Sequence, residues 1–205
     1  MPDFMFEYEA IAEGLSPVCG VDEAGRGPWA GPVVAGAAIL DPQTLPDSLR
    51  MGLDDSKKLK AEKRQALFAL LADHAITGIG IATVEEIDRL NILQATMLAM
   101  TRAVADLKVK PGMVLIDGNR LPDLPYPAEA LVKGDGRSLS IAAASIVAKV
   151  SRDAIMAALA SSHPGYGWQH NSGYGTKKHI QGLAEFGVTI HHRRSFAPIR
   201  RLLES

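Results

Sequence analysis

Hydrophobic and polar positions change period along the chain, and each change predicts an element. Residues 18–22 form a short apolar strand that closes on Asp22, with Glu23 directly after it. Residues 33–40, VVAGAAIL, are a second apolar strand. Between 41 and 55, Pro42, Pro46 and Gly52 predict a loop. Residues 60–74 place Leu67, Leu70 and Leu71 at helical spacing, and 76–82 alternate around Gly78 and Gly80 as a third strand. Thr83-Val84-Glu85-Glu86 is a capping box that starts a helix. Residues 93–107 repeat apolar positions at three and four, a helix closed by Pro111 and Gly112. A short strand at 113–117 ends in Asp117-Gly118, and 130–133 is read as a fifth strand. Residues 140–161 predict a long alanine-rich helix whose small side chains permit close packing. The stretch 163–174, rich in Gly, Pro, Tyr and Trp, is expected to be an exposed, structured loop. Thr176 caps a helix through 186, and a last short helix is placed near 198–204. Residues 1–16, acidic and aromatic, are expected at the periphery. Strands separated by long helices indicate an α/β fold with a mixed sheet.

Composition changes this picture only at the margins. The chain has 205 residues, enough for one domain with a full core. Net charge is −1, so the molecule is not a polycation, yet its charge is uneven. Asp3, Glu7, Glu9 and Glu13 precede the first basic residue, Arg26, whereas Lys177, Lys178, Arg193, Arg194, Arg200 and Arg201 gather at the other end. A basic end of this kind is usually solvated surface, and it can also hold a phosphate backbone. The single cysteine, Cys19, lies in the first strand, has no internal disulfide partner and is assigned to the core of a protein in a reducing compartment. No run is long enough to span a bilayer, and the N-terminus lacks the order of a signal peptide. A cytoplasmic protein is expected.

The stretch VCGVDEAGRGPWAGPVVAGAAIL organises the rest. Gly25, Gly27 and Ala30 fit the dinucleotide pattern G-x-G-x-x-G/A. That pattern requires a helix after the glycines and an acid about 20 residues later. Here Pro28, Gly31 and Pro32 interrupt, the next run is a strand, and the acids come first. A β-hairpin fits better.

Asp22, Glu23, Asp117 and Asp135 all stand where predicted elements end. Functional groups of an open α/β sheet gather beyond strand ends, so neighbouring ends would make one carboxylate nest. Oxygen-only donors suit Mg²⁺ or Mn²⁺, and no His or Cys stands at metal-ligand spacing nearby. Taken singly, Asp117-Gly118 and Asp135-Gly136 are ordinary turns, and Asp22-Glu23 could pair with Arg26. Successive strand residues point to opposite faces. The first strand is therefore expected to bend or end between Asp22 and Glu23, or Glu23 to contribute through its backbone carbonyl.

The segments GVDEAGRGPWAGPVV, LDDSKKL, LIDGNRLP, VKGDG, IAAASIVAKVSRD, HPGYGW and GYGTKKH, in this order, resemble the prokaryotic ribonuclease HII family, the type 2 ribonucleases H. The resemblance implies a ribonuclease H-like fold: a five-stranded mixed sheet flanked by helices, with a C-terminal helical extension. It implies a catalytic domain over 1–160, with 161–205 as a loop and helical extension packed on it. It implies an endoribonuclease that cuts the RNA strand of RNA–DNA hybrids and single ribonucleotides embedded in duplex DNA. The family's metal-binding and catalytic acids fall on Asp22, Glu23, Asp117 and Asp135. Two Mn²⁺ or Mg²⁺ ions would drive hydrolysis to 5′-phosphate and 3′-hydroxyl ends. Gly25, Arg26 and Gly27 would read the sugar at the RNA-to-DNA step, where the 2′-hydroxyl distinguishes RNA from DNA. Tyr174 would pack on the deoxyribose of the 3′ side, and Ser56, Lys57 and Lys58 would meet phosphates. Asp153 is read as structural, a helix ion pair with a basic neighbour. A monomer is expected.

Two positions depart from the family pattern. Asn171-Ser172 stands where His-Lys is usual, which removes a charge that could face phosphate. Lys60 replaces a capping Ser and weakens its helix start by about 1 kcal/mol. Two other functions compete with the nuclease: a non-catalytic hybrid-binding module on the same fold, and a dinucleotide-dependent enzyme built on the glycine turn.

Overall fold

The computed structural model describes residues 1–204. The elements are α1 (Met5–Ala12), β1 (Val18–Ala24), β2 (Val33–Leu40), α2 (Asp47–Arg50), α3 (Ala61–His74), β3 (Ala75–Ala82), α4 (Val84–Leu90), α5 (Ile92–Ala105), β4 (Met113–Asp117), β5 (Ala128–Leu131), α6 (Leu139–Ser162), α7 (Trp168–Asn171), α8 (Lys177–Phe186) and α9 (Ala197–Glu204). A single sheet has the order β3-β2-β1-β4-β5. β1 pairs with β2 antiparallel, β2 with β3 antiparallel, and β4 joins β1 and β5 in parallel. The expected five-stranded mixed sheet flanked by helices is present, and the glycine turn leads into a strand, not a helix. A dinucleotide site therefore lacks its helix.

Local sequence explains most boundaries. Thr83 and Glu86 form the reciprocal capping box. Asn91 starts α5 by accepting from the amides of Leu93 and Gln94. Lys60 makes no side-chain cap, as its chemistry dictates. The fifth strand lies at 128–131, two residues before the expected 130–133. Lys133 has left-handed backbone, φ 57°, so the chain has already turned there. Parallel pairing with β4, with Asp117 opposite Leu131, sets this register against weak local propensity.

The sheet buries both faces. On one, Ala38 and Leu40 pack with Leu67 and Leu71 of α3 and Ile146 and Val147 of α6. On the other, Cys19, Val21, Ala37 and Ile116 pack with Ala99 and Ala103 of α5. Cys19 is a core residue, its thiol pushed up to about 12 by burial. Gly20 faces α6 so closely that a Cβ there would stand 2.1 Å from the Ser140 carbonyl carbon. Backbone cannot yield as a side-chain tip can. Gly20→Ala is expected to cost at least about 3 kcal/mol, measured by denaturant unfolding.

Two peripheral assignments are corrected. In the N-terminal segment Phe4, Glu7 and Ala10 are buried. Glu7 Oε1 accepts from the Ser138 hydroxyl (2.7 Å) and the Ser140 amide (2.9 Å), where α6 begins. An isolated carboxylate is costly to bury, but at a helix start it meets unpaired N–H groups. The 163–174 loop is likewise not simply exposed: Tyr166 and Trp168 are buried with Met156 of α6 and Leu183 of α8. Among the described residues no helix is long and apolar enough to cross a membrane.

Candidate active site

β1 and β4 run parallel, with Val21 opposite Ile116, so Asp22 and Asp117 come next on neighbouring strands. β1 does not end between its two acids. It continues to Ala24, with Asp22 opposite Gly36 and Glu23 opposite Ala35. Glu23 thus shares the face of Val21 and α5, and Asp22 shares that of Gly20 and α6. Asp135 sits in a 3-10 turn, Gly134–Gly136, after β5. The Gly134 amide donates to Asp117 Oδ1 at 2.7 Å and ties this turn to the end of β4.

The charge of Asp117 bears on each of the other three acids. Burial first, then the charges of Glu23 and Asp117, pushes the Asp22 carboxyl well above the usual carboxylate range. Burial also raises Glu23, against the opposing charge of Arg26, whose guanidinium lies 3.3 Å from Glu23 Oε1. Asp135 is raised by burial and then by the charges of Asp117 and Asp55. Burial disfavours the Lys57 ammonium, but Asp22, Asp55, Asp135 and Glu23 outweigh it and raise its pKa. A cleft of about 60 Å³ opens between Glu23 and Asp117 on the α5 face.

Among the described residues, no three His, Cys, Asp or Glu side chains converge closely enough to enclose one ion. The acids form a neighbourhood, not a closed cage. Alternation along β1 sends Asp22 and Glu23 to opposite faces, and like charges hold carboxylates apart. In chemistry the donors still fit a hard divalent cation: all are oxygens, all are anionic, and Asp22 is buried at a cost that positive charge would relieve.

A groove of about 570 Å³ runs from Glu23 past Gly25, Arg26 and Gly27 to Tyr174, and Ser56 and Lys57 line it. Lys58 does not line it; its ammonium is 3.3 Å from Asp54 at the surface. Tyr174 is half exposed, and a Cβ on Gly27 would lie 3.2 Å from its ring. Arg64, Lys149 and Arg152 add positive charge to the groove and were not among the sequence candidates. Lys149 pairs with Asp153 at 2.6 Å, the helix ion pair expected for Asp153. The Ser172 hydroxyl donates to the same carboxylate at 3.2 Å, and Asn171 Nδ2 donates to the Tyr166 carbonyl at 2.9 Å. The uncharged Asn171-Ser172 pair therefore organises the loop that carries Tyr174.

Two buried arginines hold the glycine turn from behind. Arg193 donates to the carbonyls of Gly25 (2.5 Å), Arg26 (2.9 Å), Gly31 (2.9 Å) and Pro32 (3.1 Å). Arg152 donates to Ala30 (3.2 Å), Pro32 (3.0 Å) and Ser172 (3.0 Å). Gly25 has φ 97°, and a Cβ there would collide with Arg152 Nε at 1.9 Å, so both backbone and space require glycine. In the sequence Arg193 was one charge of a basic C-terminus, which solvation explained equally well, and Arg152 stood in the family-like segment IAAASIVAKVSRD with no role assigned.

Comparison with known proteins identifies the family. Residues 19–199 match the profile of the family described as Ribonuclease HII. The chain is 60% identical over 205 residues to Ribonuclease HII of Rhodospirillum rubrum, covering 99% of this chain and 92% of that one. It is 57% identical to that of Paramagnetospirillum magneticum, covering 99% of each. Among solved structures, the ribonuclease H2 of Pyrococcus horikoshii superposes with a TM-score of 0.76 at 29% identity, over 91% of this chain and 97% of that one. Bst-RNase HIII, solved with Mn²⁺, shares the fold with a TM-score of 0.71 at 20% identity, over 91% of this chain and 69% of that one. With the acids, the groove and this likeness together, the chain belongs to the ribonuclease HII family, hydrolytic nucleases that cut the RNA strand of RNA–DNA hybrids.

Proposed function

We propose that this protein cleaves single ribonucleotides embedded in duplex DNA as well as longer hybrids, using two Mg²⁺ or Mn²⁺ ions and leaving 5′-phosphate and 3′-hydroxyl ends. The observation that carries this reading is the set Asp22, Glu23, Asp117 and Asp135, in which Asp22 and Asp135 are buried and the charge of Asp117 bears on the other three, beside a groove lined by Glu23, Gly25–Gly27 and Tyr174. Those four carboxylates would hold the ions. When bound, such ions lower the pKa of the attacking water and stabilise the departing 3′ oxygen. The chain supplies the rest. Arg193 and Arg152 draw the turn's carbonyls inward, and the Gly25–Gly27 amides would serve the sugar and phosphate at the RNA-to-DNA step. Tyr174 takes the deoxyribose that follows, and Ser56 and Lys57 meet the backbone. Lys58, paired with Asp54, contributes at longer range. Both walls and all four acids come from one polypeptide, so the monomer is the active species.

The test is incubation with a duplex carrying one ribonucleotide, beside a continuous hybrid, with Mg²⁺ or Mn²⁺. Cleavage on the 5′ side of the ribonucleotide supports the reading. Metal-independent binding without product would sink it and leave a hybrid-binding module.

A further expectation concerns the apo protein. Carboxylates raised in the folded state add stability that is full below the ordinary carboxylate range and lost as pH rises through their raised values. At neutral pH the apo protein therefore carries their repulsion. Metal at a hundred times its dissociation constant should add about 2.7 kcal/mol, or about 5–10 °C in Tm. That gain should fade on acidification, as protons displace the ions. Thermal melts across pH with and without Mn²⁺ measure it, and a gain independent of pH would contradict a carboxylate site.

A further inference from the structure

Hydrogen bonding in the C-terminal segment fixes the proton on each of two buried imidazoles, His179 and His192. The Thr189 amide donates to His192 Nδ1 at 3.0 Å, and its hydroxyl lies 2.9 Å from the same atom. An amide nitrogen can only donate, so His192 Nδ1 is the acceptor and its proton is on Nε2. His192 Nε2 stands 3.0 Å from His179 Nε2. The Trp168 indole, also a pure donor, reaches that same His179 Nε2 at 3.2 Å. Two independent donors thus place the His179 proton on Nδ1, which is 3.0 Å from the backbone carbonyl oxygen of Tyr174. The path runs from Thr189 through His192 and His179 to Tyr174.

The far end of this path is laced to the glycine turn. His192 bridges Ala30, the Gly31 amide donates to the His191 carbonyl (2.9 Å), and the Arg193 amide donates to the Trp29 carbonyl (2.8 Å). The Trp29 amide donates in turn to the Gly173 carbonyl at 2.8 Å, next to Tyr174. Tyr174 therefore receives the position of the opposite groove wall by two routes. Burial keeps both imidazoles neutral: it lowers His179 and, with the His179 charge adding, takes His192 to about 4. With donors on the free lone pairs, neither ring has an open nitrogen for a metal.

We propose that His179, oriented by His192, is a positioning residue that fixes the Tyr174 backbone so that the ring stands at a set distance from Gly27 to receive the sugar 3′ of the ribonucleotide. This rests on the reading of Tyr174 as a sugar contact. A random loop anchor would hold Tyr174 without requiring one tautomer. Here the tautomer is dictated from two directions, and it turns the Nδ1 proton toward the backbone of Tyr174, 3.0 Å away, and of its neighbour Gly173.

The test combines steady-state kinetics on a duplex with one ribonucleotide and ¹⁵N NMR of the imidazoles in the full chain. The spectra should show His179 protonated at Nδ1 and His192 at Nε2; the opposite tautomers would overturn the proposal. His179→Leu should raise KM about tenfold with the effect on KM rather than kcat. His179→Asn, whose amide N–H stands where Nδ1–H stood, should recover most of that loss. In a Tyr174→Ala background, His179→Leu should add nothing. A folded His179→Leu with native KM, beside a Tyr174→Ala that raises KM, overturns the relay alone. A Tyr174→Ala with native KM removes the reading of Tyr174 and the relay with it. If His179→Leu does not fold, His179→Asn decides: near-native KM supports the proposal, and a raised KM that adds in full to Tyr174→Ala refutes it.

Discussion

Asp117→Asn should fold, melt above the native chain without divalent cations, and lose cleavage by about a thousand-fold or more, corresponding to about 4 kcal/mol of transition-state stabilisation. Asparagine keeps an oxygen where Asp117 Oδ1 accepts the Gly134 amide at 2.7 Å, so the end of β4 and the Asp135 turn stay joined. What disappears is a negative charge felt by Asp22, Glu23 and Asp135 together. Removing it relieves repulsion in the apo protein and weakens the hold on a cation. Stability and activity should therefore move in opposite directions. A melt with and without Mn²⁺ and a single-turnover assay measure the two effects. Full activity, or an apo Tm lower than native, would contradict a shared acid neighbourhood centred on Asp117.

Arg193→Ala is expected to destabilise the fold by about 3–5 kcal/mol, a large share of a typical domain's stability. Its guanidinium is fully buried and has no carboxylate partner among its hydrogen bonds. Its charge is balanced by the carbonyls of Gly25, Arg26, Gly31 and Pro32 and by the ring of Phe196, 5.1 Å away. Alanine would remove this donor from the Gly25, Arg26 and Gly31 carbonyls, leave Pro32 to Arg152 alone, and release the turn that faces substrate. Arg193→Lys should be intermediate, because an ammonium has three donors and no planar fork. Denaturant unfolding reads the stability. The ratio kcat/KM on the ribonucleotide duplex reads the turn and should fall for both variants, even at temperatures where they are folded. An active, stable Arg193→Ala would show that the turn holds its shape unaided.

Most strands and helices were legible because they depend on residues within a few positions of one another. Apolar runs place β1, β2 and β4, the Thr83–Glu86 box starts α4, and helical spacing places α3 and α5. The four acids were legible for a related reason. A carboxylate at the end of an apolar run is conspicuous in one dimension, and the run's direction sets the end it occupies. Resemblance supplied the candidate substrate residues, and the structure brings all of them to one groove except Lys58.

What the sequence by itself determined is the five strands and the longer helices, but not α1, α2 or α7, and which acids stand close to strand ends; only the tertiary structure decided how polar groups are buried. Arg193 meets Gly25 across 168 positions, and Glu7 meets Ser140 across 133. In the sequence both residues are ordinary surface charges. Their desolvation becomes tolerable only once distant carbonyls or helix amides surround them, and no local pattern encodes that compensation. The same limit applies to β5, whose register comes from β4, and to His179 and His192, whose tautomers come from Trp168 and Thr189. Periodicity records which way a side chain points within its own element. What waits for that side chain there depends on how the elements pack.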